Sequence, residues 1–104
     1  MIIQGTNIPL TITFDADLAD IADIVVTMWR RKGVELKRWT KADMSIEGDT
    51  AILPITEEES ASWPEGYNTL SVKGLDENGQ TVFWEEAPIL VEGRNDKSVR
   101  ITGG

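Results

Sequence analysis

An all-β fold, an immunoglobulin-like β-sandwich of about seven strands with two short helical turns, follows from three features of this sequence. Apolar residues recur with a period of two along most of the chain. Turn residues fall at roughly 8–12-residue intervals, and only two stretches carry helix-start chemistry.

IPLTITF places Ile8, Leu10, Ile12 and Phe14 on one side, the pattern of a half-buried strand. A short helical turn is expected near 16–22, with Asp15 as its cap, Asp17 at the positive end of its dipole, and Leu18, Ile21, Ala22 and Val25 on one side. IVVTMWRR and VELKRW form a hairpin around Arg31-Lys32-Gly33, because glycine accepts positive φ at no steric cost. A three-residue loop pairs Arg30 with Val34 and Met28 with Leu36. Val26, Met28, Val34 and Leu36 then face inward, and Val25, Trp29, Glu35, Lys37 and Trp39 outward.

MSIEGDT leads through a Gly-Asp turn into TAILPIT, with Ala51, Leu53 and Ile55 inward. Pro54 donates no ladder bond, so this strand is expected at an edge or bulged. In TEEESASW, Thr56 and Glu59 have the spacing of a reciprocal capping box, and Pro64 and Gly66 end that helix, expected over 57–62. Trp63 is expected to plug the sandwich end. YNTLSVKG and TVFWEEAPIL form a second hairpin. Its loop is Asn78-Gly79 or, preferred here, Asp76 to Gly79, which sets Val72 opposite Phe83. Residues 1–91 are read as a single sandwich domain and 92–104 as a loosely ordered tail.

Length and composition bound the function. With 104 residues there is room for one core of normal size. The absence of Cys and His removes disulfides, thiolates and the commonest neutral-pH base, leaving an enzyme only carboxylates. Glu85 and Glu86 are adjacent on a strand and point to opposite faces, so they cannot flank one glycosidic bond. One of them is expected inward near the rim. No catalytic residue is assigned, no cofactor is expected, and the chain is read as a non-enzyme. No apolar run approaches a membrane span, and MIIQGTNIPL has neither the basic start nor the apolar core of a secretory signal.

DADLADIAD, with four aspartates in nine residues, poses a choice between a metal site and scaffolding. A calcium loop needs oxygens at alternating positions, a central glycine and a closing Glu. Counting from Asp15, position five is Ala19, position six Asp20 and position twelve Val26. The match fails, and the stretch is read as a connector with no metal.

Charge is unevenly laid out over the net −8. Residues 30–41 hold six of the ten bases, against Glu35 alone. Overall acidity argues against a nucleic-acid partner, and strand alternation divides the hairpin's charges between two faces. Trp29, Trp39 and Trp84 are all expected to point outward, where exposed rings mark protein interfaces or sugar platforms. The expected interaction surface is therefore Trp29 and Trp39, with Lys37 and Arg38 at its rim, and Trp84. Cover of these rings by the tail is the competing expectation.

LTITF, DLADIADIVVTMW, the basic hairpin, IEGDTAILPITEEES and the Glu-Asn-Gly hairpin occur in this order over residues 2–91. The arrangement resembles the small immunoglobulin-like domain of tailed phages of Gram-positive bacteria, as at the N-terminus of the upper baseplate protein. The resemblance implies a non-catalytic virion domain, made in the host cytoplasm, that docks onto tail or baseplate proteins or associates with itself. It implies no catalytic residues. The alternative is a carbohydrate-binding module that recognises host cell-wall glycan through an exposed Trp.

Overall fold

The computed structural model describes residues 1–15 and 17–93. Eight strands form two sheets, as the period-two pattern predicts. They are β1 (Ile2–Ile3), β2 (Leu10–Thr13), β3 (Asp23–Arg31), β4 (Val34–Thr40), β5 (Ser45–Glu47), β6 (Thr50–Leu53), β7 (Gly66–Leu75) and β8 (Thr81–Glu92). The large sheet has the order β1-β8-β7-β3-β4, and the small one β2-β6-β5. Among the described residues, only β1 and β8 pair in parallel. The remainder of the expected tail, 94–104, lies outside the described residues. Within them, no helix is long and apolar enough to cross a membrane.

The core lies between the sheets. Ile24, Val26, Met28, Trp39, Ala51 and Leu53 are buried, and Trp63 closes one end with its ring 6.3 Å from that of Trp39 at 75°. Pro54 corrects an expectation. β6 is central in its sheet and ends at Leu53, so the proline follows the ladder instead of interrupting an edge.

The first hairpin is also corrected. Its loop is Lys32-Gly33 with Gly33 at φ 86°, and Arg31 pairs with Val34. Met28 pairs with Lys37 and Val26 with Trp39, while Arg30 and Leu36 are unpaired extra residues at two bulges. Each bulge adds one residue to one strand. From Leu36 onward β4 is slipped by one, and a one-residue slip exchanges the faces of every later side chain. Trp39 thereby becomes a core residue, Lys37 shares its face, and Arg38 turns to the outer one.

The second hairpin is shifted by two. Phe83 pairs with Gly74 and Glu85 with Val72. Asp76 Oδ1 accepts the backbone N–H groups of Asn78 and Gln80, each at 2.9 Å, which draws Gln80 into the loop. An even shift preserves the faces. The Phe83 ring lies where a Cβ on Gly74 would be, so the glycine leaves space for it.

Near 16–22 there is a single 3-10 turn, Leu18–Asp20, and its cap is Asp17, not Asp15. Asp17 Oδ1 accepts the Ala19 N–H at 2.9 Å. A turn this short begins two residues later than a two-turn helix, so the capping position moves with it. Val25 belongs to β3, not to a helical face. Lys41 completes the connector from a distance, its Nζ donating to the carbonyls of Leu18 at 3.0 Å and Ile21 at 2.6 Å.

The helix α1 (Glu57–Ser62) has the reciprocal cap. Glu59 N–H donates to Thr56 Oγ1 at 3.1 Å, and Thr56 N–H to Glu59 Oε1 at 3.2 Å. Glu59 also pairs with Lys37 at 2.5 Å. Burial pushes its carboxyl up, but the Lys37 bond and the Thr56 bonds outweigh this and hold it below its ordinary value of 4.5. A lowered folded value contributes stability that is present above the ordinary value and lost as pH falls through the lower one. Glu59→Gln is expected to remove that share, so its urea midpoint changes less than the wild type's between about pH 6 and pH 3. Equal changes would show that the pair contributes nothing measurable.

Candidate functional site

The outer face of the large sheet carries the candidate site. Antiparallel pairing lines residues up in rows across β4, β3, β7 and β8. One row is Thr40, Val25, Lys73 and Trp84; the next is Arg38, Thr27, Ser71 and Glu86. Trp29 and Thr69 follow in the row beyond. Alternation along each strand places all of these opposite the core.

Trp29 and Trp84 border a shallow cleft of about 500 Å3 whose floor and walls include Lys32, Thr69, Ser71 and Glu86. Trp29 is half-buried, and its Nε1–H donates to Ser71 Oγ at 2.9 Å, which fixes the ring's orientation. Trp84 is 59% exposed. A smaller adjoining depression is lined by Val25, Arg38 and Lys73 together with the same two tryptophans. The face thus offers two large apolar surfaces with hydroxyls, a carboxylate and cations between them.

The expected surface is partly taken apart. Trp29, Trp84 and Arg38 share this face, but Trp39 does not. It is 1% exposed, its Nε1–H donates to the Pro54 carbonyl at 2.8 Å, and the Lys37 ammonium lies 5.8 Å from its ring centroid. Lys37 goes with it, turned to Glu59. The physical reason is the Leu36 bulge. The competing expectation, cover by the tail, concerns residues outside those described. Trp29 and Trp84 come together because β3 and β8 both flank β7, a neighbourhood that sequence spacing does not reveal. Ser71 and Thr69 were not singled out in the sequence; their only signal was an outward position on β7, two and four residues from Lys73.

Glu85 and Glu86 are both exposed, Glu86 on the outer face and Glu85 on the core-side face. The expected inward carboxylate is therefore on the predicted side, at the mouth of a depression it lines with Ile12, Phe14, Leu18, Val72 and Phe83. Asp15 and Asp17 are exposed, whereas Asp23 Oδ1 accepts the backbone N–H of Lys41 at 3.2 Å. Among the described residues no group of three or more carboxylates is placed to hold a metal ion.

Fold and site together define an all-β, sandwich-like domain with an aromatic cleft on an open sheet face. No family model, curated protein or solved structure matches this chain.

Proposed function

We propose that this chain is a non-catalytic docking domain of a phage tail or baseplate, binding a virion protein through the outer face of its large sheet. The observation that carries the docking reading is Trp84, 59% exposed beside the fixed ring of Trp29 over a continuous cleft. Large exposed aromatics desolvate at low entropic cost and dominate interface energetics. The virion assignment rests on the ordered motifs of residues 2–91. Glu85 and Glu86, the adjacent acid pair, point to opposite faces, which supports a non-catalytic role.

A second reading has its own observation. The hydroxyls of Thr69 and Ser71 and the carboxylate of Glu86 lie between the rings, a donor and acceptor set suited to a sugar. Titration of the purified protein against purified tail and baseplate proteins, and separately against soluble host cell-wall polysaccharide, separates the two. Docking predicts binding to a virion protein that W84A weakens roughly 30-fold, the loss of about 2 kcal/mol typical of a Trp hot spot. Binding only to polysaccharide, lost in W84A, would establish the glycan reading instead. Unchanged affinity in W84A would remove this face from either role.

A further inference from the structure

Among the described residues, both long edges of the large sheet have stretches without a strand neighbour, and the two edges are opposite in net charge. β8 pairs with β7 on one side. On the other it meets only β1, at Val91 and Glu92, so Thr81 to Leu90 have no strand neighbour there among the described residues. This edge carries Glu85 and Glu86 and no base. At the far side of the same sheet β4 is the last strand; it carries Glu35, Lys37 and Arg38, a net of +1 (+2 − 1), with Arg38 paired to Glu35 at 2.8 Å and Lys37 to Glu59.

We propose that a second copy of this chain docks edge to edge, β4 of one copy adding to β8 of the next. The inference does not depend on the outer-face cleft. It rests on strand direction, facing, hydrogen-bond phase and charge. β4 runs opposite to β3, β3 opposite to β7, and β7 opposite to β8. Hence β4 and β8 run in opposite directions, and a copy set alongside without being turned over forms an antiparallel pair. The row that begins at Arg38 ends at Glu86, so the neighbour's Arg38 continues it beside Glu86 on the outer face. On the core-side face the neighbour's Lys37 comes diagonal to Glu85, within reach of long side chains.

The backbone is in phase for this contact. Thr40 gives its N–H to Asp43 Oδ2 at 2.9 Å, away from β3. In an antiparallel ladder this direction recurs every second residue, so Arg38 also turns its N–H and C=O to the open edge. On β8 the Glu92 carbonyl accepts the Gln4 N–H at 2.8 Å on the edge side. Glu86, six residues earlier, has the same phase. Arg38 and Glu86 can therefore exchange both backbone bonds. Pro88 and the Leu36 bulge face one another and end the ladder on one side, and Thr40, whose N–H is held by Asp43, ends it on the other, leaving Lys37–Trp39 against Glu85–Ala87. Charges and prolines on edges normally prevent pairing. Here they bar like edges from each other while leaving unlike edges complementary. The contact is heterologous, which generates a ring if the rotation closes and a filament if it does not.

The test is sedimentation velocity of the full chain over a concentration series up to millimolar, with four proteins: wild type, E86K, R38E and the double variant E86K/R38E. Arg38 and Glu86 are exposed, and a thermal melt confirms that each variant folds. Wild type is expected to associate with rising concentration. E86K and R38E are each expected to weaken this roughly tenfold, since like charges then meet across the strands, and the double variant to restore it. E86K moves the net charge from −8 to −6 (−8 + 2), so mere relief of repulsion would strengthen its association instead. A wild type that stays monomeric at millimolar concentration overturns the proposal. So does association that the single variants leave unchanged, or a double variant that fails to recover it.

Discussion

Trp39→Ala is expected to lower the unfolding free energy by about 3–5 kcal/mol, the range for truncating a buried aromatic. The ring is 1% exposed, packs edge-on against Trp63 and donates its Nε1–H to Pro54. Truncation removes its buried apolar area, leaves a cavity between the sheets and takes away the Pro54 carbonyl's indole partner. The loss is a large fraction of the roughly 5–15 kcal/mol that holds a small domain together. Trp39→Phe keeps much of the packing and loses the hydrogen bond, so it should fall well short of the alanine variant. Equilibrium urea unfolding measures both. A cost below about 1 kcal/mol for Trp39→Ala would place the ring back on the surface and remove the Leu36 bulge from the account.

Met28→Ala and Leu53→Ala are each expected to cost about 2–5 kcal/mol, and Ile12→Ala clearly less. Met28 and Leu53 are fully buried, one from each sheet, in the same core cluster. Ile12 has the same inward parity, but β2 is an edge strand and the side chain is only half-buried. The area it withdraws from water is correspondingly smaller. Urea midpoints at constant m-value test the ranking. Equal costs at all three positions would mean that the large sheet covers β2 as completely as it covers β6.

Trp29 marks where sequence reading worked. Its outward position follows from alternation in IVVTMWRR, because Val26 and Met28 lie on the other parity and are buried. Thr56 and Glu59 form the reciprocal cap that their three-residue spacing predicts. Ala51, Leu53 and Ile55 are buried on one parity as well. All of these depend on interactions within a few residues, where pattern and chemistry are visible together.

Trp39, Lys41 and the Trp29–Trp84 cleft mark where it stopped. A bulge is a single unpaired residue, and no local preference in VELKRW distinguishes Leu36 as the extra one. It forms because burying Trp39 against Trp63 and Pro54 recovers more than the lost ladder bonds cost, a balance that exists only once the sheets meet. Lys41 belongs to a basic run in the sequence, yet its ammonium holds the carbonyls of Leu18 and Ile21, over twenty and twenty residues away respectively. Strand order decided the cleft. The sequence by itself determined an all-β chain, most of the inward parity and the α1 cap, since period and capping are local. Tertiary structure alone decided which side Trp39 takes, which tryptophans are neighbours and which charges line the two open edges. Each of those depends on which strands lie side by side, and that is set by packing the two sheets around one core.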